Sequence, residues 1–292
     1  MNGNLFFCDK FSRQNRVPLS LMYITNHPEI AKIAEKSGVD RIWIDLETIG
    51  KEQRQFNMNT VKSDHVLSDI PIIRNVLSKS KLLVRINPLY DGSKKEIDKV
   101  VDGGADIIML PWFHTQDEAK KFVDLVDGRA KTILLVETTN AEKNIKEILA
   151  TSGADEIHIG LNDLHLEYKM TFMFELLING AIDRMLKIIH DSSQIHYGFG
   201  GIARLDEGML PARLIIAEHY RMGSQMAILS RSFYDSWVSQ DIDEIEAVFR
   251  HGVSEIREYE ERLKEKEDSF FIENHNKVVN IVKEIVNRKR AK

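Results

Sequence analysis

The chain has 292 residues and a single cysteine, Cys8, so no internal disulfide can form and a zinc cluster of thiolates is excluded. No apolar run reaches membrane-spanning length, and the N-terminus lacks the basic-then-apolar order of a secretory signal. Basic charge is not in excess either. Lys and Arg number 40 against 45 Asp and Glu, a net charge of −5 that gives no reason to expect a nucleic acid partner. These absences describe a cytoplasmic protein whose partners are small molecules, with no role at a membrane. A hydrophobic content of 43% and a charged content of 29% are those of an ordinary globular domain.

What is present is an alternation of short apolar runs with amphipathic stretches. Strands are expected at Val17–Ile24, Arg41–Leu46, Leu82–Ile86, Asp106–Leu110, Thr132–Glu137, from Glu156, at His196–Phe199 and at Met226–Leu229. Between them the spacing predicts helices, among them Pro28–Lys36, Lys94–Asp102, Thr115–Val126, Asn140–Ala150, Thr171–His190 and Pro211–Met222. Eight strands alternating with helices, with no break for a second domain, point to a (β/α)8 TIM barrel over residues 1–240. An open doubly wound sheet is the competing architecture, but no glycine-rich dinucleotide fingerprint follows the first strand. Residues 241–292 form a C-terminal helical extension. Its last helix carries an apolar stripe, Val278, Val279, Ile281, Val282, Ile285 and Val286, that packs either on the barrel or on a neighbouring subunit of a homo-oligomer. The basic cluster from Arg288 to Lys292 reads as a solvated helix end that suits the helix dipole.

The most informative stretch is Thr132-Ile-Leu-Leu-Val-Glu137 together with Glu156-Ile-His-Ile-Gly-Leu-Asn-Asp163. Each is a buried-strand run ending in a carboxylate, and one helix separates them. On neighbouring parallel strands, Glu137 and Asp163 would face one crevice as hard oxygen ligands suited to Mg²⁺ or Mn²⁺. Taken singly, each acid could equally be a helix cap or a surface loop acid. The strand ends also carry Asp45 and Glu47, Arg85 and Asn87, Gly160, Gly200 and Gly201, and Ser230 and Arg231. Arg85 inside an apolar strand needs a partner, and a salt bridge to Glu47 would be enough. His165 is either a base or outer ligand near Asp163, or an ordinary loop histidine. Gly200 and Arg231 mark a place for an anion on the second substrate, although glycines there also serve tight turns. No lysine lies in the second half of a strand: Lys81 and Lys131 sit at strand starts, and Lys51 in a mouth loop shows no sign of desolvation. The Schiff-base route to aldol chemistry is therefore set aside.

The segments Ser37-Gly-Val-Asp-Arg-Ile-Trp-Ile-Asp-Leu-Glu47, Val84-Arg-Ile-Asn87, Gly103-Gly-Ala-Asp-Ile-Ile-Met-Leu-Pro111, Val136-Glu137 and Gly153-Ala-Asp-Glu-Ile-His-Ile-Gly-Leu-Asn-Asp-Leu164 resemble the HpcH/HpaI aldolase and citrate lyase β-subunit superfamily. The resemblance implies a divalent metal on Glu137 and Asp163, chelated by a 2-oxo acid such as pyruvate. It also implies that Arg85 neutralises the oxygen that becomes an enolate. Backbone amides around Gly160, Leu161 and Asn162 would receive the substrate carboxylate, with Asp45 and Glu47 in the catalytic set. On this reading the protein is a carbon–carbon lyase or aldolase. The alternatives are a condensing enzyme with a different second substrate, or a subunit that only binds metal and oxo acid. The family's aldolases usually place a catalytic histidine directly after the acidic pair of the second strand; here that position is Thr48. Lys51 beyond Asp45-Leu-Glu47 leans toward the citrate lyase side. The segments Gly198–Arg204, Arg221–Ser224 and Ser230-Arg231 also depart from the family pattern.

Overall fold

The computed structural model describes residues 5, 7, 16–51, 64–192, 195–233 and 241–291; Cys8, Gln240 at the expected domain boundary and Lys292 lie outside them. The strands are β1 (Ser20–Ile24), β2 (Arg41–Asp45), β3 (Lys81–Arg85), β4 (Ile107–Leu110), β5 (Lys131–Val136), β6 (Glu156–Ile159), β7 (His196–Phe199), β8 (Gly201–Ile202) and β9 (Met226–Leu229). They pair in parallel in the order β7-β6-β5-β4-β3-β2-β1-β9-β8. β7 and β8 are one strand interrupted at Gly200. The Gly200 amide continues the pairing to β6 by donating to Ile159 O (2.8 Å), while its carbonyl accepts from Ile228 N (3.3 Å). The same strand thus faces β6 on one edge and β9 on the other, and the sheet closes into an eight-stranded parallel barrel as the alternation of elements predicts.

Residues alternate between two apolar clusters, as a pleated strand requires. Met22, Trp43, Leu83, Met109, Leu135 and Met226 fill the inside of the ring. Their neighbours Leu21, Ile42, Val84, Ile108, Leu134 and Ile157 face outward into the cluster shared with the helices. Polar side chains share the interior with these apolar ones. Arg41 on β2 and Glu156 on β6 form a buried two-bond pair across the floor of the barrel, with Nη2 donating to Oε1 at 2.9 Å. His158, held neutral by burial with its ring pushed down to about 3, donates from Nε2 to Gly200 O at 3.2 Å. That bond and a φ of +52° fix the kink between β7 and β8.

The outer helices are α1 (Pro28–Lys36), α2 (Asp69–Val76), α3 (Ser93–Asp102), α4 (Gln116–Val126), α5 (Thr139–Lys143), α6 (Ile145–Thr151), α7 (Leu161–Glu167), α8 (Glu175–Ile178), α9 (Ala181–Ser192) and α10 (Ala212–Met222), followed by α11 (Ile242–Lys264) and α12 (Asp268–Arg290). Two helices expected to be continuous are broken. Asn140–Ala150 divides at Asn144, and Thr171–His190 divides at Asn179-Gly180. There Gly180 has a φ of +79° and Asn179 Oδ1 accepts from Ala181 N (2.8 Å), restarting the helix. α7 was not expected at all. Among the described residues no helix is long and apolar enough to cross a membrane.

The apolar stripe of α12 packs on α10 and α8 of its own chain, burying Val278, Val282, Ile285 and Val286. Val279 and Ile281 of the same stripe are half-buried. A buried ionic cluster ties α12 to α10. Glu218 accepts from Arg221 Nε (3.0 Å) and Nη2 (2.7 Å) and from Asn274 Nδ2 (3.0 Å), with His275 Nδ1 at 3.0 Å. Burial alone would raise the Glu218 carboxyl, but Arg221 and His275 hold it below its ordinary value. A carboxyl depressed in the folded state stabilises above its unfolded pKa, and that contribution is lost as pH falls through the folded value. Glu218→Ala should cost about 3 kcal/mol in urea unfolding at pH 7, with the gap to the parent narrowing as pH drops below the ordinary glutamate range. A loss under about 1 kcal/mol at pH 7 would show that this link is not what seats the helix.

Candidate active site

The carboxyl-end rim of the barrel gathers acids from four places. Asp45 is the last residue of β2, Glu47 follows in its loop, Glu137 directly follows β5, and Asp163 lies in the first turn of α7. Asp45, Glu47 and Glu137 are buried and Asp163 is half-buried. Arg85, the last residue of β3, sits among them. Its Nε and Nη2 donate to Asp45 Oδ1 and Oδ2, both at 2.8 Å, and Nη2 is 3.4 Å from Glu47 Oε2. Beneath it lies the Trp43 ring, 5.1 Å from the guanidinium carbon. Burial alone would lower the Arg85 pKa, but the carboxylates of Asp45 and Glu47 outweigh it and hold the group firmly cationic. Asp45 is the reciprocal case: burial would raise its carboxyl, and Arg85 with Lys51 keeps it well below the usual carboxylate range.

Glu137 behaves differently. Burial, with Asp163 and Glu47 close by, pushes its carboxyl well above the ordinary value, against the pull of Arg85 and of the Trp112 amide. That amide donates to Glu137 Oε1 at 3.0 Å from a residue with a φ of +47°, an uncommon backbone state for tryptophan. Glu137 is not a helix cap. The cap of α5 is Thr138, whose Oγ1 accepts from Ala141 N (3.1 Å) and donates to Phe113 O (2.7 Å). On the other side Gly160 lets the strands approach. A Cβ there would lie 2.9 Å from both Glu137 Cβ and Oε2, closer than real contacts allow. Asp163 is not an ordinary surface acid either, because its Oδ1 is sealed from solvent with no hydrogen-bond partner.

A buried carboxylate oxygen without a partner, beside a second carboxylate crowded by like charge, fits an oxygen-ligated divalent cation. Among the described residues no cluster of three or more His, Cys, Asp or Glu is arranged to hold a metal.

The other residues singled out in the sequence are placed variously. The Gly160 amide is committed to Val136 O (2.9 Å), leaving Leu161 and Asn162 as the first-turn amides of α7. His165, two residues beyond Asp163 and so turned about 200° around the helix, directs Nδ1 at Asn162 O and lies near Lys289 of α12; burial lowers its pKa. Gly200 spends its amide and carbonyl on the barrel wall. Arg231 is exposed, in the 3-10 turn Arg231–Phe233. Ser230 and Ser232 bond each other, Oγ to Oγ, at 3.0 Å.

Lys51, expected to be a solvated loop lysine, is instead drawn into the site, and Asn87 has a larger part than its place at a strand end suggested. Lys51 is only 12% exposed, and its Nζ lies 2.9 Å from Asp45 Oδ2 and 3.6 Å from Glu47 Oε2. Asn87 organises the loop that brings it there. Its Oδ1 accepts from Thr48 N (2.9 Å), Ile49 N (3.0 Å) and Thr48 Oγ1 (3.2 Å), while its Nδ2 donates to Glu96 Oε1 (2.8 Å). The sole sequence cue to Lys51 was its place four residues after Glu47.

A closed parallel barrel with a metal-compatible acid pair and a buried arginine at its carboxyl-end rim defines the architectural class. Within that class, residues 19–173, a little over half the chain, match the family model described as HpcH/HpaI aldolase/citrate lyase, and the chain belongs to that family. Solved structures share the fold at 16% identity. An HpcH/HpaI aldolase from Desulfitobacterium hafniense has a TM-score of 0.55, over 87% of this chain and 97% of that one. A HpcH/HpaI aldolase/citrate lyase family protein from Burkholderia cenocepacia has a TM-score of 0.60, over 85% and 97%. A variant of the citrate synthase SbnG, also at 16% identity, has a TM-score of 0.55 over 76% and 89%. No curated protein sequence matches the chain.

The state of Glu137 has a measurable consequence. A carboxyl raised in the folded state keeps its proton while the unfolded chain releases it, so stability falls as pH climbs from the ordinary glutamate value toward the folded one. In chelator-treated protein, Glu137→Gln should be more stable than the parent at pH 7–8, with the difference vanishing near pH 4. Equal stability of the two at pH 8 would mean that the carboxylates do not crowd one another.

Proposed function

We propose that the chain is a carbon–carbon lyase of the aldolase type, acting on a 2-oxo acid such as pyruvate through its enolate, with Mg²⁺ or Mn²⁺ held by Glu137 and Asp163. The observation that carries this reading is the unpartnered, buried Asp163 oxygen beside the crowded Glu137. A divalent ion bound there supplies Lewis acidity to the 2-oxo oxygen. The chain's own residues supply the rest. Arg85, aimed by two bonds to Asp45 and by the Trp43 ring, presents a fixed positive charge where negative charge grows on the enolate oxygen. Because Asp45 and Glu47 orient the guanidinium before substrate arrives, little reorganisation is needed during the reaction. The first-turn amides of Leu161 and Asn162 face outward from the N-terminus of α7, where a substrate carboxylate finds donors without strand partners. Trp112 N–H holds Glu137 Oε1 in place at 3.0 Å.

The same half-reaction run toward bond formation gives a condensing enzyme. The likeness to a citrate synthase, together with Thr48 in place of the aldolases' histidine, supports that second reading. Both share the enolate, so both are tested by proton exchange at the methyl group of pyruvate. With Mg²⁺ or Mn²⁺ in D₂O, the methyl signal in NMR should decay faster than in enzyme-free controls. Glu137→Ala should lose metal binding in calorimetry, and Arg85→Lys should slow exchange about 100-fold because an ammonium cannot reproduce the planar fork. A sample that binds both metal and pyruvate yet exchanges no faster than background would point to a binding role or to a different oxo acid.

A further inference from the structure

Enolate chemistry needs a group that moves a proton to and from carbon, and the histidine that the family resemblance implies after the acidic pair of β2 is absent. Thr48 stands there, and its hydroxyl donates to Asn87 Oδ1 at 3.2 Å. Two histidines close to the site residues in sequence or contact each have Nδ1 engaged. His65 turns Nδ1 to the Asp45 amide (2.9 Å), and His165 turns Nδ1 to Asn162 O. Asp45 is doubly bonded to Arg85.

We infer that Lys51 is the proton-transferring residue of this site. The assignment rests on the enolate reading above. Its geometry has three parts. The loop after β2 turns back through Lys51 N donating to Thr48 O (3.3 Å), and Asn87 pins that turn, so a residue outside any strand is brought over the rim. The side chain is then drawn inward by Asp45 and Glu47 until it is only 12% exposed. Finally, Lys51 Nζ and Arg85 Nη2 both contact Asp45 Oδ2, at 2.9 and 2.8 Å, so the amine lies beside the cation assigned to the enolate oxygen. An ammonium carries three N–H donors: Asp45 Oδ2 accepts one at 2.9 Å, and Glu47 Oε2 at 3.6 Å is an ionic neighbour beyond hydrogen-bond reach.

The step balances without another reactant. As the enolate returns to the ketone, the carbon–carbon π pair takes a proton from Lys51 Nζ. A C–H bond forms, an N–H bond breaks with its pair left on nitrogen, and the amine regains a proton from water. In the reverse sense the amine takes the methyl proton and releases it to solvent, which is the exchange seen in D₂O. A purely electrostatic role would need only positive charge beside Asp45 and Glu47. Arginine supplies that charge, but it does not give up a proton.

The test measures methyl exchange of bound pyruvate in the full chain with Mn²⁺, comparing the parent with Lys51→Arg and Lys51→Ala, and measuring metal and pyruvate binding of each by calorimetry. Both variants should bind and both should exchange about 100-fold more slowly. Added methylamine should restore part of the rate in Lys51→Ala. Exchange by Lys51→Arg within about twofold of the parent would overturn the assignment and leave Lys51 a counter-ion. Loss of metal or pyruvate binding in Lys51→Arg would overturn it too, because the residue would then be holding the site together. Failure of the parent itself to exchange, with both ligands bound, would remove the enolate reading rather than the choice of proton carrier.

Discussion

Charge imbalance at one rim of a closed barrel is the condition on which the rest of this structure depends. At the floor, Arg41 and Glu156 cancel one another in a sealed pair. The middle layer, with Trp43, Leu83, Met109 and Leu135, is almost wholly apolar. At the top, four carboxylates meet two cations, Arg85 and Lys51. Two unit charges a few ångströms apart in a partly buried site interact by several kcal/mol, so an uncompensated acid pair is costly. The surplus does not fall evenly. Asp45 bonds both cations and stays ionised, whereas Glu137, with one amide bond, two acidic neighbours and only the more distant pull of Arg85, is pushed toward its neutral form. The site is thus divided into a satisfied half and a deficient half, and a dication matches the deficient one.

Keeping that imbalance in place takes rigid supports, and most of them are backbone devices. Thr138 caps α5 so that Glu137 is not drawn into capping. Trp112 holds a left-handed backbone to direct its amide at Glu137, a strain of the kind that persists where surrounding structure fixes it. Gly160 removes the Cβ that would collide with the same glutamate. On the opposite wall, Gly198 admits Met226, whose Cγ would lie 2.2 Å from a Cβ there, and the Gly200 kink lets one strand close the ring on both edges. Closure matters to the chemistry because it fixes the separation of β5 and β6, and with it the distance between the two acids.

The fold was legible because parallel barrel strands are short apolar runs with distinct boundaries, and all eight run where the hydrophobic pattern places them. Glu137, Asp163, Asp45 and Arg85 were legible for a related reason: each sits within a few residues of a strand end, so the position of the strand fixes the position of the residue. What could not be read depends on contacts far apart in sequence. The break at Asn179-Gly180 rests on a side-chain cap that competes with an otherwise continuous amphipathic pattern. α7 is a single short helix after a glycine, too brief to show periodicity. The burial of Lys51 depends on Asn87, 36 positions away, gathering two loop amides, and no local property of the loop announces it. The stripe on α12 was visible as apolar, but what covers it follows from the Glu218 cluster on α10, another long-range arrangement.

This division between strand-borne and loop-borne residues also bears on specificity. The groups assigned to the enolate stand on or beside strand ends, where the hydrogen-bonded ring allows little adjustment: Arg85 and Asp45 at β3 and β2, Glu137 after β5, Asp163 one turn beyond β6. Glu47 and Lys51 stand instead on the loop after β2, with Ile49 between them 44% exposed at the rim. A barrel built in this way can keep the enolate half fixed while its partner changes, since altering a loop does not disturb sheet closure. Replacing histidine by Thr48 and drawing Lys51 inward is a change of that loop-borne kind. If Lys51 carries the proton as proposed, the chemistry of this chain turns on the loop after β2 and on Asn87, which shapes it.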